Sequence, residues 1–511
     1  MRSSTHRRHA GVLGMALLFL AQATWLVGST GAQDLAEFEK RVTEFTLPNG
    51  LHFIVLERHE APVAAFLTFA NVGAVDEQRG KTGLAHVFEH MAFKGTRTIG
   101  TRDYPAEAKT LARIDELFAA IQAERGKPNP DKARLDGLQK QFTQAQADAQ
   151  KYLVHDEFEE TLQRAGGQGL NASTGSDQTI YFVSLPSNKA ELWMALESDR
   201  FLDPVLREFY KELAVIMEER RRSVESDPTG RLLEEFMGVA YKAHPYGTEV
   251  IGHMSDLEGL SRADAEAFFK RYYNPSNLTI AVVGDVDPGQ VRHMAERYFA
   301  HIPKGPRTGL VQTVEPPQLG ERRVVVEDQA QPLVVIGFHK PGINDPNNAV
   351  FDAMTDILGA GRTSRLYRSL VRDKRIAVQA SAFHGMPGEK YPGLFVVYSV
   401  PAKGHTNEES EQALLAEVER LKTELVSPEE VKKAKTRARA GLIRQLGSNI
   451  GLAQRLTYYQ VVTGNWRNLF TQLQRIDKVT AEDIQRVAKE TFTRKNRTVG
   501  LIETTSTPKP D

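Results

Sequence analysis

The chain repeats itself, and that limits what it can fold into more than any other feature. Ser261, Asp264, Lys270, Tyr273, Asn277, Thr279 and Ile280 line up without a gap on Thr480, Asp483, Lys489, Phe492, Asn496, Thr498 and Val499, always 219 residues apart. Each block reads as a helix followed by a strand, so each closes a half of similar build. Pro303, Gly305, Pro306, Gly309, Pro316, Pro317 and Gly320 mark a linker between the halves. Strands and helices alternate irregularly within each half. That predicts an α+β fold of two duplicated halves, each with helices packed on a largely antiparallel sheet. The expected boundaries are 33–302 for the first half, 303–320 for the linker, 321–503 for the second half and 504–511 for a disordered tail.

The first half carries the chemistry. Gly83 to Thr96 reads GLAHVFEHMAFKGT. On a helix, His86 and His90 lie one above the other on one face, a spacing that lets two imidazoles grip one metal ion. Glu89, three residues after His86, projects from nearly the same side and can reach a water on that metal. Zinc suits such a site, because it accepts histidine nitrogens and a carboxylate and leaves one position open. The bland alternative is a surface helix with two solvated histidines. The apolar company of Leu84, Val87, Phe88, Met91 and Phe93 argues against it.

HVFEH is the inverted zinc motif H-x-x-E-H, and the sequence resembles the pitrilysin/insulinase-type zinc peptidases, the inverzincins, over most of its length. The resemblance implies hydrolysis of peptide bonds in short or unfolded polypeptides, one Zn2+ per chain, and two halves enclosing a substrate chamber. It makes Glu89 the general base. Members of the family carry an E-x6-E pair on a later helix, matched here by ELAVIMEE from Glu212 to Glu219. Seven residues is close to two helical turns, so these two glutamates share a face, while Glu218 turns about 100° away. The resemblance assigns Glu219 as the third metal ligand and Glu212 as a supporting carboxylate in the catalytic site. The interval from His90 to Glu219 is longer than the family's usual one. Two helical stretches over about 105–153, joined by Gly126-Lys127-Pro128-Asn129-Pro130, account for most of the surplus as a protruding helical hairpin.

A glycine-rich run, Gly166 to Gly169, leads into Asn171-Ala172 and then the strand Thr179 to Leu185. An exposed strand edge holds extended peptides by β-augmentation, and the resemblance points to Asn171 and Ala172 for substrate binding. Family members that work alone also carry an arginine and, six or seven residues later, a tyrosine that hydrogen-bond the peptide. Arg372 matches the arginine, but the tyrosine's place falls on Val378, which has no donor. This gap suggests that a second, related chain supplies the missing pair. A homodimer remains open as well. So do two other readings: a non-catalytic scaffold subunit, in which Glu89 would be superfluous, and another metal-dependent hydrolase.

Arg2, Arg7 and Arg8 precede an apolar run from about Val12 to Val27, and Thr30-Gly31-Ala32 offers small residues for cleavage. This is the layout of a secretory signal peptide over residues 1–32, with a retained anchor as the alternative and the periplasm as the expected compartment. After cleavage no membrane span is expected. The chain has no cysteine, so disulfides play no part in its stability. With 65 basic and 65 acidic residues it shows no electrostatic footprint for nucleic acid.

Overall fold

The computed structural model describes residues 37–505, and in it the repeat is visible residue for residue. Ser261 and Thr480 each cap a helix through a capping box with Asp264 or Asp483. Each helix gives way to a 3-10 turn and then a strand. Even single bonds recur. Asn277 Nδ2 donates to the Tyr272 carbonyl at 2.9 Å, and Asn496 Nδ2 donates to that of Thr491 at 2.8 Å.

The strands are β1 (Val42–Thr46), β2 (His52–Glu57), β3 (Val63–Ala70), β4 (Gln168–Thr174), β5 (Thr179–Pro186) and β6 (Leu278–Gly284), followed by β7 (Arg322–Asp328), β8 (Leu333–Lys340), β9 (Ala377–Met386), β10 (Gly393–Pro401) and β11 (Arg497–Thr504). They form two sheets, in the orders β1-β2-β6-β3-β5-β4 and β7-β11-β8-β10-β9. β2 runs parallel to β6 and β7 parallel to β11, while the neighbours from β3 to β5 and from β8 to β10 are antiparallel. The expected α+β fold of duplicated halves is what forms, with β4 and β9 as equivalent edge strands. By contacts the chain up to Thr43 is one unit and the chain from Glu44 another. In the first unit the described residues are a helical stretch, 37–40, and the opening of β1.

The helices that position the site are α1 (Leu84–Met91), α2 (Tyr104–Arg125), α3 (Lys132–Ala149), α4 (Phe209–Arg220), α5 (Pro228–Ala240) and α6 (Arg262–Tyr272) in the first half. In the second they are α7 (Asn348–Gly359), α8 (Pro428–Gln445), α9 (Asn449–Thr463) and α10 (Ala481–Thr491). One pair is exchanged between the halves. α5 packs on β7 and β11 of the second sheet, and α9 packs on β3 and β6 of the first. The exchange explains why the last seven residues of β3 and all of β6 are buried, because both faces of these strands are covered. Leu232, Phe236 and Ala240 recur at helical spacing on α5 and are fully buried against Val335, Leu394 and Val396.

Two glycines make room for that helix. A Cβ on Gly500 would stand 2.9 Å from Phe236 Cδ2 and 3.1 Å from Leu232 Cδ1, and one on Gly337 would stand 2.8 Å from Phe236 Cζ. Gly500→Ala should therefore cost about 1–3 kcal/mol through overpacking. Thermal melts should show the loss, whereas Gly309→Ala, with nothing within 4 Å of its Cβ, should melt like the parent.

The segments outside the sheets are also tied down. α2 and α3 pack on each other through Leu111, Ile114, Leu117, Ile121, Phe142 and Ala145. The pair is seated on α4, where Phe118 and Phe142 meet Tyr210 at ring distances of 4.4 and 5.3 Å. Residues 303–319 contain no helix or strand. Even so, Glu315 accepts the backbone N–H groups of Lys242, Ala243 and His244 at 2.8–3.0 Å. Thr504, expected in a disordered tail, is the last residue of β11, and its hydroxyl donates to the Ala330 carbonyl at 2.7 Å. A strand partner on one side is enough to order it. The expected signal peptide and residues 506–511 lie outside the described residues.

Candidate metal centre

α1 is short and is held at both ends. Gly83 caps it with φ at +90°, a conformation that suits glycine, and a Cβ there would stand 2.8 Å from the Ile251 carbonyl oxygen. Half-buried Glu77 completes the start of the helix: one carboxylate oxygen accepts Gly83 N–H at 2.8 Å and the other Ala85 N–H at 2.7 Å. Burial pushes the Glu77 carboxyl up to about 8, against the pull of these two donors. Leu84, Ala85, Val87, Phe88 and Met91 sink into the core of the first half. Burying each large side chain contributes about 1.5–3 kcal/mol, so the opposite face is fixed. His86, Glu89 and His90 lie on that face, each partly exposed.

α4 crosses beside α1 and presents Glu219 to both imidazoles. Its Oε2 lies 4.0 Å from His86 Nε2 and 4.0 Å from His90 Nε2. The two rings stand nearly perpendicular, with centroids 4.9 Å apart. All three donor atoms lie within 4.8 Å of one another, and no other cluster of this kind occurs among the described residues. Two nitrogens and one oxygen are donors that zinc accepts. With bonds of about 2.0–2.1 Å its ligands would stand some 3.4 Å apart, so the present spacing is that arrangement slightly opened. The residues fit the ion.

Glu212, one face-repeat before Glu219, lies behind His90, with Oε2 at 3.6 Å from Nδ1. Lys94 Nζ meets its other oxygen at 2.6 Å. His90 and then Lys94 hold the Glu212 carboxyl down to about 2, against its burial. Glu212 in turn lifts the imidazole of His90 above its ordinary range, whereas burial and the neighbouring His90 hold His86 below it. A carboxylate behind a metal-binding histidine fixes the ring and its tautomer. Glu218 points away, pairing with Arg221 at 3.0 Å.

Four further residues frame the site, and motif reading did not find them. Glu77 carries no periodic signal. Lys94 lies four residues beyond His90, a spacing that could have flagged it. Arg220 bolts the end of α4 to α5, donating to both oxygens of Glu234 at 2.8 and 3.0 Å and to the Gly252 carbonyl at 2.7 Å. Arg207, fully buried, donates to the carbonyls of Lys94, Thr96 and Ile99 and pairs with Glu107 of α2 at 2.8 Å. It joins the loop after α1 to the hairpin. Glu107→Ala would strand that buried cation and should cost about 3–5 kcal/mol. Chemical denaturation would read the loss, and an unchanged midpoint would refute the pairing.

The proposed substrate residues are not all gathered here. α1 packs against β4, which carries Asn171 and Ala172 at the outer edge of its sheet. The Asn171 side-chain oxygen accepts its neighbour's N–H at 2.9 Å. Arg372 stays apart, exposed in the second half and paired with Asp373 at 2.7 Å. Val378, on β9, is 57 % exposed.

Comparison with known proteins gives this geometry a family. The profile described as Insulinase (Peptidase family M16) matches residues 53–116 and 147–253, and that described as Peptidase M16 inactive domain matches 259–438. The chain belongs to the M16, or insulinase, family of peptidases. The first match holds all of α1 and α4, while its interruption, 117–146, falls on the far end of the α2–α3 hairpin. This M16 chain is 27% identical over 457 residues to the zinc protease PqqE of Helicobacter pylori, covering 88% of this chain and 89% of that protein. A solved structure of a protease from Helicobacter pylori superposes with a TM-score of 0.75 at 25% identity, covering 90% of this chain and 99% of that one. The periplasmic protease PqqL from Escherichia coli gives 0.68 at 17% identity, with 91% of this chain matching 48% of that one.

Proposed function

We infer that this chain is a zinc-dependent endopeptidase cleaving short or unfolded polypeptides, exported to a bacterial periplasm. The observation that carries the reading is the convergence within 4.8 Å of Glu219 from α4 with His86 and His90 from α1, the helix that also carries Glu89. One Zn2+ per chain, when bound there, supplies Lewis acidity toward an attacking water and the scissile carbonyl. The chain's own residues do the rest. Glu89 accepts the water's proton and passes it to the leaving amine. Glu212 keeps His90 oriented through Nδ1, with Lys94 keeping Glu212 in place. The unpaired edge of β4, with Asn171 and Ala172, holds an extended peptide beside α1. The two halves enclose it.

Export is supported by the basic and apolar pattern of residues 1–32 and by the periplasmic description of PqqL. No helix among the described residues is long and apolar enough to cross a membrane. A non-catalytic scaffold is the weaker reading, because Glu89, the metal ligands and the Glu212–Lys94 support are all intact. A related partner chain is favoured by one specific observation: Val378 occupies an exposed position of β9 with no donor, and among the described residues Arg372 pairs with its neighbour Asp373. Incubating the purified chain with a peptide library, before and after chelation and with zinc restored, tests the central reading. Cleavage that a chelator abolishes and zinc restores is expected. A zinc-loaded chain that cleaves nothing alone but becomes active with a related chain would establish the heterodimer instead.

A further inference from the structure

The duplication shows what the second half lost and what it kept. The N-cap residues of α4 and α8, Glu208 and Ser427, stand 219 residues apart, the same separation as Ser261 and Thr480. In that register Val431 replaces Glu212 and Ala438 replaces Glu219. α7 packs against α8 and β9 as α1 packs against α4 and β4. The metal donors are gone, but the space is not. A cavity of about 730 Å3 lies there, lined by Ala438, Asp352, Asp356, Arg437, Arg444 and Arg455 among others.

Its charges do not cancel. Arg437 pairs with Asp356 at 3.1 Å, and Asp352 is held by His384 at 2.8 Å and Gln472 at 2.6 Å. Arg444 and Arg455 have neither an ion pair nor a side-chain hydrogen bond among the described residues. Arg455, Asp352 and Tyr459 also line a second cavity, about 430 Å3, whose far wall is the turn Gly175–Gln178 that ends β4. The acids of that second space keep their charge but are held in place by neutral donors. Asp177 accepts Tyr246 Oη at 2.5 Å and the Glu389 and Lys390 N–H groups at 2.9 and 3.0 Å, and Glu389 accepts Tyr458 Oη at 2.7 Å. An extended chain leaving β4 past Thr174 thus meets the second cavity, which shares Arg455, Asp352 and Tyr459 with the first, where Arg444 and Arg455 are cations without an acidic partner among the described residues.

Resting on the peptidase reading, we propose that the cleft standing where the second half's metal site would be binds a carboxylate of the polypeptide substrate through Arg455 and Arg444. Guanidinium groups recognise carboxylates in a planar, bidentate geometry that lysine does not reproduce. The carboxylate is either an acidic side chain remote from the scissile bond or the chain terminus, and the experiment separates them.

Fluorescent peptides, free or amidated at the C-terminus and carrying glutamate or glutamine at each position in turn, are titrated onto the full chain bearing Glu89→Gln, which holds peptide without cutting it. Zinc content is measured in parallel. At one position glutamate should bind about tenfold or more tightly than glutamine, or the free terminus should do so over the amide. Arg455→Gln should bring that ratio toward one, Arg444→Gln should lower it, and Arg455→Lys should restore part of it. A ratio of one in the parent, or one that survives Arg455→Gln in a protein of unchanged melting temperature, would overturn the pocket and leave the peptidase reading standing. If the zinc-loaded protein binds no peptide at all, either alone or with a related chain, both fall.

Discussion

Glu89→Gln is expected to keep its zinc and lose about 10²–10⁴ of its turnover. The amide is nearly the same size as the carboxylate and lies on the half-exposed face of α1, whose stability comes from the buried Leu84, Val87, Phe88 and Met91. Packing and metal binding should therefore survive, while the ability to accept a proton from water does not. Metal analysis of the variant beside steady-state cleavage of one peptide separates the two effects. Turnover at the parent's rate would show that another group takes the proton.

The second large effect concerns Glu219. Glu219→Gln removes the one charged donor from a cluster with two neutral imidazoles, and its zinc affinity should fall by more than about 100-fold. Loss of a supporting residue typically costs about 10–100-fold, which is the range expected for Glu212→Gln. Glu218→Gln should leave affinity unchanged, because that side chain is 72 % exposed and paired with Arg221. Competition with a chromogenic chelator would rank the three. If Glu218→Gln proved the most damaging, the helical face assigned to the metal would be wrong.

The order of these effects was legible in the sequence because helical spacing is local. His86, Glu89 and His90 share a face by arithmetic, and the seven-residue step from Glu212 to Glu219 does the same on α4. The duplication was legible because its helix–strand block keeps its spacing to the residue. What stayed hidden depends on contacts between distant segments. Nothing near Glu77 in the sequence says that its carboxylate closes the start of α1. Nothing near Arg207 says that it ties the loop after α1 to the hairpin. The exchange of α5 and α9 was hidden for the same reason. A helix facing the other half's sheet has the same apolar stripe as one facing its own, so periodicity marks the buried face but not the partner. Gly337 and Gly500 read as weak points in strands, and their purpose is plain only against Phe236.

The most direct test is to locate the metal. Crystals of the zinc-loaded chain, measured on both sides of the zinc absorption edge, should show one anomalous peak in the first half and none in the cleft lined by Ala438 and Arg455. That peak should lie about 2.0–2.2 Å from His86 Nε2, His90 Nε2 and a Glu219 oxygen. A peak elsewhere, or none between these three side chains with zinc in excess, would contradict the assignment on which the proposed peptidase chemistry rests.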